Sequence, residues 1–92
     1  MRKCAIIGVS GGRAGGIAEA YRHVKKGTLA AISTRNRENL DEFGDRFGVS
    51  SRYTDYREMF AAESPDLVHV NTPPSVRLEV FEAAEAASVA SI

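Results

Sequence analysis

The sequence has one cysteine and no long apolar run, and each of these features excludes a class of protein. A single cysteine, Cys4, cannot form an internal disulfide, so a disulfide-stabilised secreted domain is excluded. No apolar segment approaches the ~20 residues that a transmembrane helix needs, so no membrane partner is expected. The 12 basic residues equal the 12 acidic residues, which argues against a nucleic-acid partner. Because the N-terminus shows no signal peptide, we expect a cytoplasmic protein.

Short apolar runs alternate with segments of helical periodicity along the chain. The runs lie at Cys4–Ile7, Leu29–Ile32, around Tyr53, at Leu67–Val70 and at Val89–Ile92. Continuous apolar runs of this length are typical of parallel strands that are buried on both faces. Their strict alternation with helices predicts right-handed βαβ units. We therefore predict one α/β domain over residues 1–92, with a Rossmann-like parallel sheet truncated in or after the fifth strand.

Helix boundaries follow from capping residues. Asn36 and Asp55 are predicted to cap the second and third helices, and Thr72 to cap the fourth, with a proline at its first position. The first helix is predicted to follow the glycine-rich segment Gly8–Gly16 and to end at the stop signal Lys25–Gly27.

The segment Gly8–Gly16 carries the first functional signal, because it joins the first strand to the first helix. Glycines there allow a tight turn and close approach of a pyrophosphate, while the free N–H groups of the helix N-terminus bind negative charge. Ser10 replaces the usual second glycine, so the later glycine roles fall to Gly12 and Gly15, or to Gly11. The alternative is a turn that binds no nucleotide. The predicted phosphate cradle comprises Gly8, Ser10, Gly11, Gly12, Arg13, Ala14 and Gly15.

The second signal follows the second strand, in Ser33-Thr34-Arg35-Asn36. Dinucleotide-binding domains usually carry an acid there, which holds the adenine ribose hydroxyls. Thr34 takes the place of that acid, and the adjacent Arg35 can bind a 2′-phosphate in bidentate fashion. We therefore predict that Thr34, Arg35 and Asn36 contact the cofactor and that NADP is favoured over NAD. The alternative is that Arg35 is a solvated loop residue or only stacks on the adenine.

The third signal is Asn71-Thr72-Pro73-Pro74, directly after the fourth strand. Ligands of open α/β sheets bind beyond the carboxyl ends of the strands, where the strand order reverses. Asn71, Thr72, Pro73 and Pro74 are therefore predicted to face the nicotinamide half of the cofactor. The alternative, a plain helix start, is compatible with cofactor contact.

Four segments together resemble the N-terminal domain of the glucose-fructose oxidoreductase / inositol dehydrogenase (Gfo/Idh/MocA) family. They are AIIGVSGGRAGGIAEAY, FGDRFGV near residue 47, YTDYREMF near residue 56 and PDLVHVNTPP. The resemblance implies an NAD(P)-dependent oxidoreductase that acts on CH–OH groups of a sugar, cyclitol or related polyol. It also implies a C-terminal domain, absent from this chain, that contacts substrate and mediates homo-oligomerisation.

The family's Glu-Lys-Pro and its acid/base histidine would both lie beyond Ile92, so no catalytic residue is expected in this chain, which would be inactive alone. The chain departs from the family pattern in its longer glycine loop, at Thr34, and at Ser75 and Arg77, where histidines often stand. His69, flanked by valines in a strand, is predicted to be a hydrogen-bonded structural residue. No cluster has metal-ligand spacing, so no metal is expected. The competing hypothesis is a stand-alone nucleotide-binding module or sensor.

Overall fold

The computed structural model describes residues 2–9, 12–23 and 26–92. The described strands are β1 (Arg2–Ile7), β2 (Gly27–Ser33), β3 (Ser51–Tyr53), β4 (Leu67–Val70) and β5 (Ala90–Ser91). The described helices are α1 (Gly12–Tyr21), α2 (Arg37–Phe47), α3 (Tyr56–Glu63) and α4 (Pro74–Ala86). Every paired strand is parallel, and the sheet order is β3-β2-β1-β4-β5. The predicted Rossmann-like α/β fold is thereby confirmed.

The sheet is covered on both faces over its central strands. Successive side chains of a strand point to opposite faces, and in β1 Ile6 packs on one face while Ala5 and Ile7 pack on the other. The face of Ile6 is covered by α1 and α2, and the opposite face by α3 and α4. Burial on both sides is the physical reason why β1 ends in a continuous apolar run, Cys4–Ile7, rather than an alternating one.

The predicted caps of α2 and α3 are confirmed. Asn36 accepts a hydrogen bond from the Asn39 amide at 3.1 Å, and Asp55 accepts one from the Arg57 amide at 2.9 Å. Gly48 ends α2 in the left-handed region, with a φ of 71°. These short-range bonds satisfy backbone groups that have no partner within the helix.

The predicted cap of α4 is wrong by one residue. Pro73 occupies the N-cap position, Pro74 begins the helix, and no side chain forms a capping bond. A residue that precedes a proline is driven out of the helical region, and Pro73 accordingly has a ψ of 150°. The helix therefore starts one position too late for Thr72 to cap it.

The boundaries of α1 also differ from those predicted. It begins at Gly12, inside the glycine-rich segment, and ends at Tyr21, ahead of the predicted stop signal. The amides of Arg22 and His23 bond to carbonyls three residues back, which tightens the last turn. Gly27 is not a helix stop, because it is buried and begins β2 opposite Arg2. Lys25 lies outside the described residues.

An ion-pair cluster attaches the edge strand β3 to α2. The guanidinium of Arg52 contacts Asp41 Oδ1 at 3.2 Å and Asp45 Oδ1 at 2.9 Å. Arg52 also donates to the Val49 carbonyl at 2.8 Å. A Cβ at Gly44 would overlap this guanidinium, so the glycine makes room for it. Asp41 and Asp45 thus position β3, the strand that precedes one wall of the cleft described below.

Candidate functional site

A cleft of about 980 Å³ opens at the edge of the sheet where the strands end. It is lined by the last residues of β1 and β2, Ile7 and Ser33, and by the residues that follow β3 and β4. The strand order reverses here, since the chain runs outward from β1 to β2 on one side and returns to β4 on the other. The cleft contains several residues predicted to contact a cofactor: Gly8, Gly12, Arg13, Thr34, Arg35, Asn71, Thr72 and Pro73.

Gly8 and Asn71 line the cleft and contact each other. Gly8 has a φ of 89°, and a Cβ there would lie 2.5 Å from the Asn71 carbonyl oxygen. The Asn71 Nδ2 atom donates to the Gly8 carbonyl at 3.1 Å, and the Asn71 amide donates to the Ile7 carbonyl at 2.9 Å. Only glycine combines this backbone angle with so close an approach, which explains the glycine at the end of β1.

The N-terminus of α1 lies at the cleft. Gly12 and Arg13 line it, and a Cβ on Gly12 would meet nothing within 4 Å. The first turn contains no acidic residue, so the positive end of the helix dipole is not neutralised by a carboxylate. This arrangement provides open space and N–H donors for an anion.

Other residues of the predicted cradle lie elsewhere. Because the helix starts at Gly12, Ala14 is buried against the core under α1. Gly15 lies beside the ring of Phe47, and a Cβ at this position would be 3.8 Å from the ring. Neither lines the cleft, whereas Ser10 and Gly11 lie outside the described residues.

The segment after β2 contributes Thr34 and Arg35 to the cleft, but not Asn36. The Thr34 amide donates to the Tyr53 carbonyl at 3.2 Å, which attaches this segment to β3. Arg35 is exposed, and its charge is among those that lower the pKa of Glu79. The Asn36 side chain is directed to the start of α2, where it serves as the cap.

After β4, Thr72 and Pro73 line the cleft, whereas Pro74 is an exposed first residue of α4 outside it. The Thr72 carbonyl accepts a hydrogen bond from Arg77 Nη2 at 3.0 Å. The Thr72 hydroxyl is buried without a hydrogen-bond partner among the described residues. A buried polar atom without a hydrogen-bond partner costs roughly 1–3 kcal/mol.

Sequence reasoning missed the wall of the cleft that α3 and α4 form. Glu79 Oε1 accepts hydrogen bonds from Arg57 Nη2 at 2.7 Å and from the Tyr56 hydroxyl at 3.1 Å. These bonds, the one from Arg57 first, hold the pKa of Glu79 below its usual range. Tyr56 and Arg57 follow β3 at the same sheet edge, a signal that could have found them. Glu79 lies within α4, and no local pattern marks it. The missed lining residues also include Thr54, Asp55, Ser75 and Val76.

His69 has the structural role that was predicted. Its Nε2 atom lies 2.7 Å from the Tyr21 hydroxyl, across the face of the sheet that α1 covers. Burial lowers the pKa of His69, and the residue does not line the cleft. Within the described residues no group of three or more His, Cys, Asp or Glu is placed to hold a metal ion. No described helix is long and apolar enough to cross a membrane.

The model of the oxidoreductase family with an NAD-binding Rossmann fold matches residues 2–92. The chain belongs to the Gfo/Idh/MocA family. This confirms the resemblance drawn from the sequence segments and identifies the domain as an NAD-binding Rossmann fold.

Several known proteins are similar to this chain over most of its length. D-apiose dehydrogenase from Rhizobium rhizogenes is 34% identical over 73 residues, which cover 79% of this chain and 21% of that protein. A crystal structure of an oxidoreductase from Agrobacterium radiobacter, in complex with NAD+, L-tartaric acid and magnesium, is 33% identical with a TM-score of 0.91. The match covers 98% of this chain and 26% of that structure.

A second similar structure contains a different cofactor, NADP+. Biliverdin reductase from Synechocystis, in complex with biliverdin and NADP+, is 25% identical with a TM-score of 0.86. The match covers 97% of this chain and 28% of that structure. The chain therefore spans about a quarter of the length of these structures. The structures similar to this Gfo/Idh/MocA domain include both NAD+ and NADP+ complexes.

Proposed function

We propose that the cleft binds the dinucleotide of an NAD(P)-dependent oxidoreductase, with NADP(H) favoured over NAD(H). The single observation that carries this proposal is that the N-terminus of α1 and the side chain of Arg35 line the same cleft. The first is suited to a pyrophosphate and the second to a 2′-phosphate. Thr34, in the place of the usual acid, adds no negative charge that would repel that phosphate.

Different groups of cleft residues would hold different parts of the proposed cofactor. Gly12 and Arg13, with the preceding Gly8 turn, would hold the pyrophosphate at the start of α1. Thr34 and Arg35 would hold the adenine ribose and its 2′-phosphate. The segment from Asn71 to Pro73, which lines the cleft, would face the nicotinamide half. The bound nicotinamide would supply hydride transfer.

For the full-length protein we propose oxidation or reduction of a CH–OH group in a sugar, cyclitol or related polyol. The similarity to D-apiose dehydrogenase supports a sugar-like substrate. In this proposal residues 1–92 are the N-terminal part of the cofactor domain, and a second domain contributes the substrate contacts. A non-catalytic nucleotide module is not favoured, because the matching family is one of oxidoreductases.

Fluorescence titration of the full-length protein with NADPH and NADH tests the cofactor assignment. We expect both to bind, NADPH more tightly, and the NADPH affinity to fall more steeply with salt because it depends on an additional phosphate charge. Tighter binding of NADH would overturn the NADP preference. Binding of neither nucleotide would overturn the cofactor site itself.

A further inference from the structure

The wall formed by α3 and α4 contains a carboxylate that the proposed cofactor contacts do not use. Glu79 is held there by Arg57 and Tyr56, which both donate to its Oε1 atom. The Arg57 guanidinium also lies 4.8 Å from the centre of the Tyr56 ring. The three side chains, here called the Glu79 cluster, line the same cleft as Arg35.

The Glu79 cluster lies within electrostatic reach of Arg35. Arg35 and Glu79 line one cleft, and the positive charge of Arg35 is the smallest of the contributions that lower the pKa of Glu79, after the hydrogen bonds from Arg57 and Tyr56 and the charge of Arg57. The backbone explains the proximity, because β2 and β3 are paired and the Thr34 amide bonds to Tyr53 just before the residues that start α3. An anion attracted by Arg35 would therefore also experience the negative charge of Glu79.

The carboxylate is only partly neutralised. Arg57 and Glu79 form an exposed pair, with 56% and 54% of their side chains accessible, and exposed pairs interact weakly. Both hydrogen bonds to this carboxylate end on Oε1, and Oε2 accepts none from the described residues. A phosphate at Arg35 carries more negative charge than a ribose hydroxyl, so Glu79 opposes the phosphate and leaves the hydroxyl nearly unaffected.

We propose that Glu79 is a specificity-determining residue, whose carboxylate weakens the binding of a 2′-phosphate beside Arg35 and so limits the preference for NADP(H). This inference rests on the proposed function of the cleft. It assigns the ratio of the two cofactor affinities to a balance between Arg35 on one side and Glu79 on α4 on the other. Thr34, which directly follows β2, does not determine this ratio of affinities by itself.

The test is Glu79→Gln in the full-length protein, which removes the charge and keeps the size of the side chain. The ligands are NADPH and NADH, together with adenosine 2′,5′-bisphosphate and AMP, which differ by the 2′-phosphate alone. We expect NADPH and the bisphosphate to bind roughly fivefold more tightly, and NADH and AMP to change by less than about twofold. The gain should shrink at high salt, because the charges are exposed.

Glu82→Gln is the matched control, because Glu82 is an exposed carboxylate on the same helix that does not line the cleft. It should leave all four affinities unchanged. An equal change for ligands with and without the 2′-phosphate, or no change, would overturn the role of Glu79. Weaker NADH binding would also overturn it, by showing that Glu79 holds the ribose hydroxyls.

The outcome is separable from that of the proposed NADP preference. If the unmodified protein prefers NADH and Glu79→Gln still improves only the phosphorylated ligands, the NADP preference fails and the Glu79 inference stands. If the unmodified protein prefers NADPH and the variant behaves identically, the preference stands and the inference fails. Absence of any nucleotide binding would overturn both.

Discussion

The carbonyl oxygen of Asn71 lies 2.5 Å from the position that a Cβ on Gly8 would occupy. The two residues are 63 positions apart in the sequence, and the Asn71 side chain donates back to the Gly8 carbonyl. This contact joins the ends of β1 and β4 where the cleft begins. The close contact with the Asn71 backbone therefore already requires a glycine at position 8, the first glycine of the fingerprint.

Gly8→Ala should destabilise the domain by at least ~3 kcal/mol, because it combines a positive φ with overlap on the Asn71 backbone. Urea denaturation followed by circular dichroism measures the change. Gly16→Ala is the matched control, because Gly16 lies inside α1 with open space around its Cβ. That control should stabilise the protein by about 0.5–1 kcal/mol. Similar effects of the two substitutions would contradict the assigned role of Gly8.

Asn71→Ala should cost about 1 kcal/mol through loss of its bond to the Gly8 carbonyl. Asn71→Asp should cost more at neutral pH, because a carboxylate would face that carbonyl without a donor. Lowering the pH to 3 should reduce the extra cost of the aspartate, since protonation restores a donor. Equal stability of the two variants at neutral pH would rule out this contact as the cause.

Thr34→Asp combined with Arg35→Ala should reverse the proposed cofactor preference. The aspartate would repel a 2′-phosphate and accept ribose hydroxyls, and the loss of Arg35 removes the phosphate partner. A change on the order of 100-fold in the ratio of NADPH to NADH affinity is expected from two charged contacts. Titrations with both nucleotides measure the ratio. An unchanged ratio would show that neither residue contacts the adenine ribose region.

Glu63→Gln should destabilise the protein by about 1–2 kcal/mol at neutral pH. Glu63 accepts a hydrogen bond from the Tyr53 hydroxyl at 2.5 Å and pairs with Lys3 Nζ at 3.0 Å. These contacts, the Tyr53 bond first, lower the pKa of Glu63. Stability from a lowered carboxyl pKa is present above the unfolded value of about 4.3 and is lost as the pH falls through the folded value.

The difference between the unmodified protein and Glu63→Gln should therefore shrink as the pH is lowered below about 4. Urea denaturation at pH 7 and pH 3 measures it. Glu82→Gln is again the control, because it makes the same substitution at an exposed glutamate. A difference in stability that is the same at both pH values would show that the stabilisation does not depend on ionisation of Glu63.

Features that depend on neighbours within a few residues were predictable from the sequence. The buried run at the end of β1 and the caps Asn36 and Asp55 were found this way, and so was the alternation that defines the fold class. Periodicity, capping and strand burial are local properties of a chain, so they leave a pattern in the sequence. The predicted start of α1 was wrong because the glycine pairs Gly11-Gly12 and Gly15-Gly16 give no local signal for a helix boundary.

Tertiary structure decided which residues share the cleft. Arg57 and Glu79 are 22 positions apart and meet on different helices, and Gly8 and Asn71 are brought together by the pairing of β1 with β4. Ala14 and Gly15 carry the sequence pattern of a phosphate cradle, yet the helix directs them into the core and toward Phe47. The amino-acid sequence by itself determined the elements and the family. The contacts that shape the cleft depend on strand order and helix direction, because these bring together residues that have no local relation along the chain.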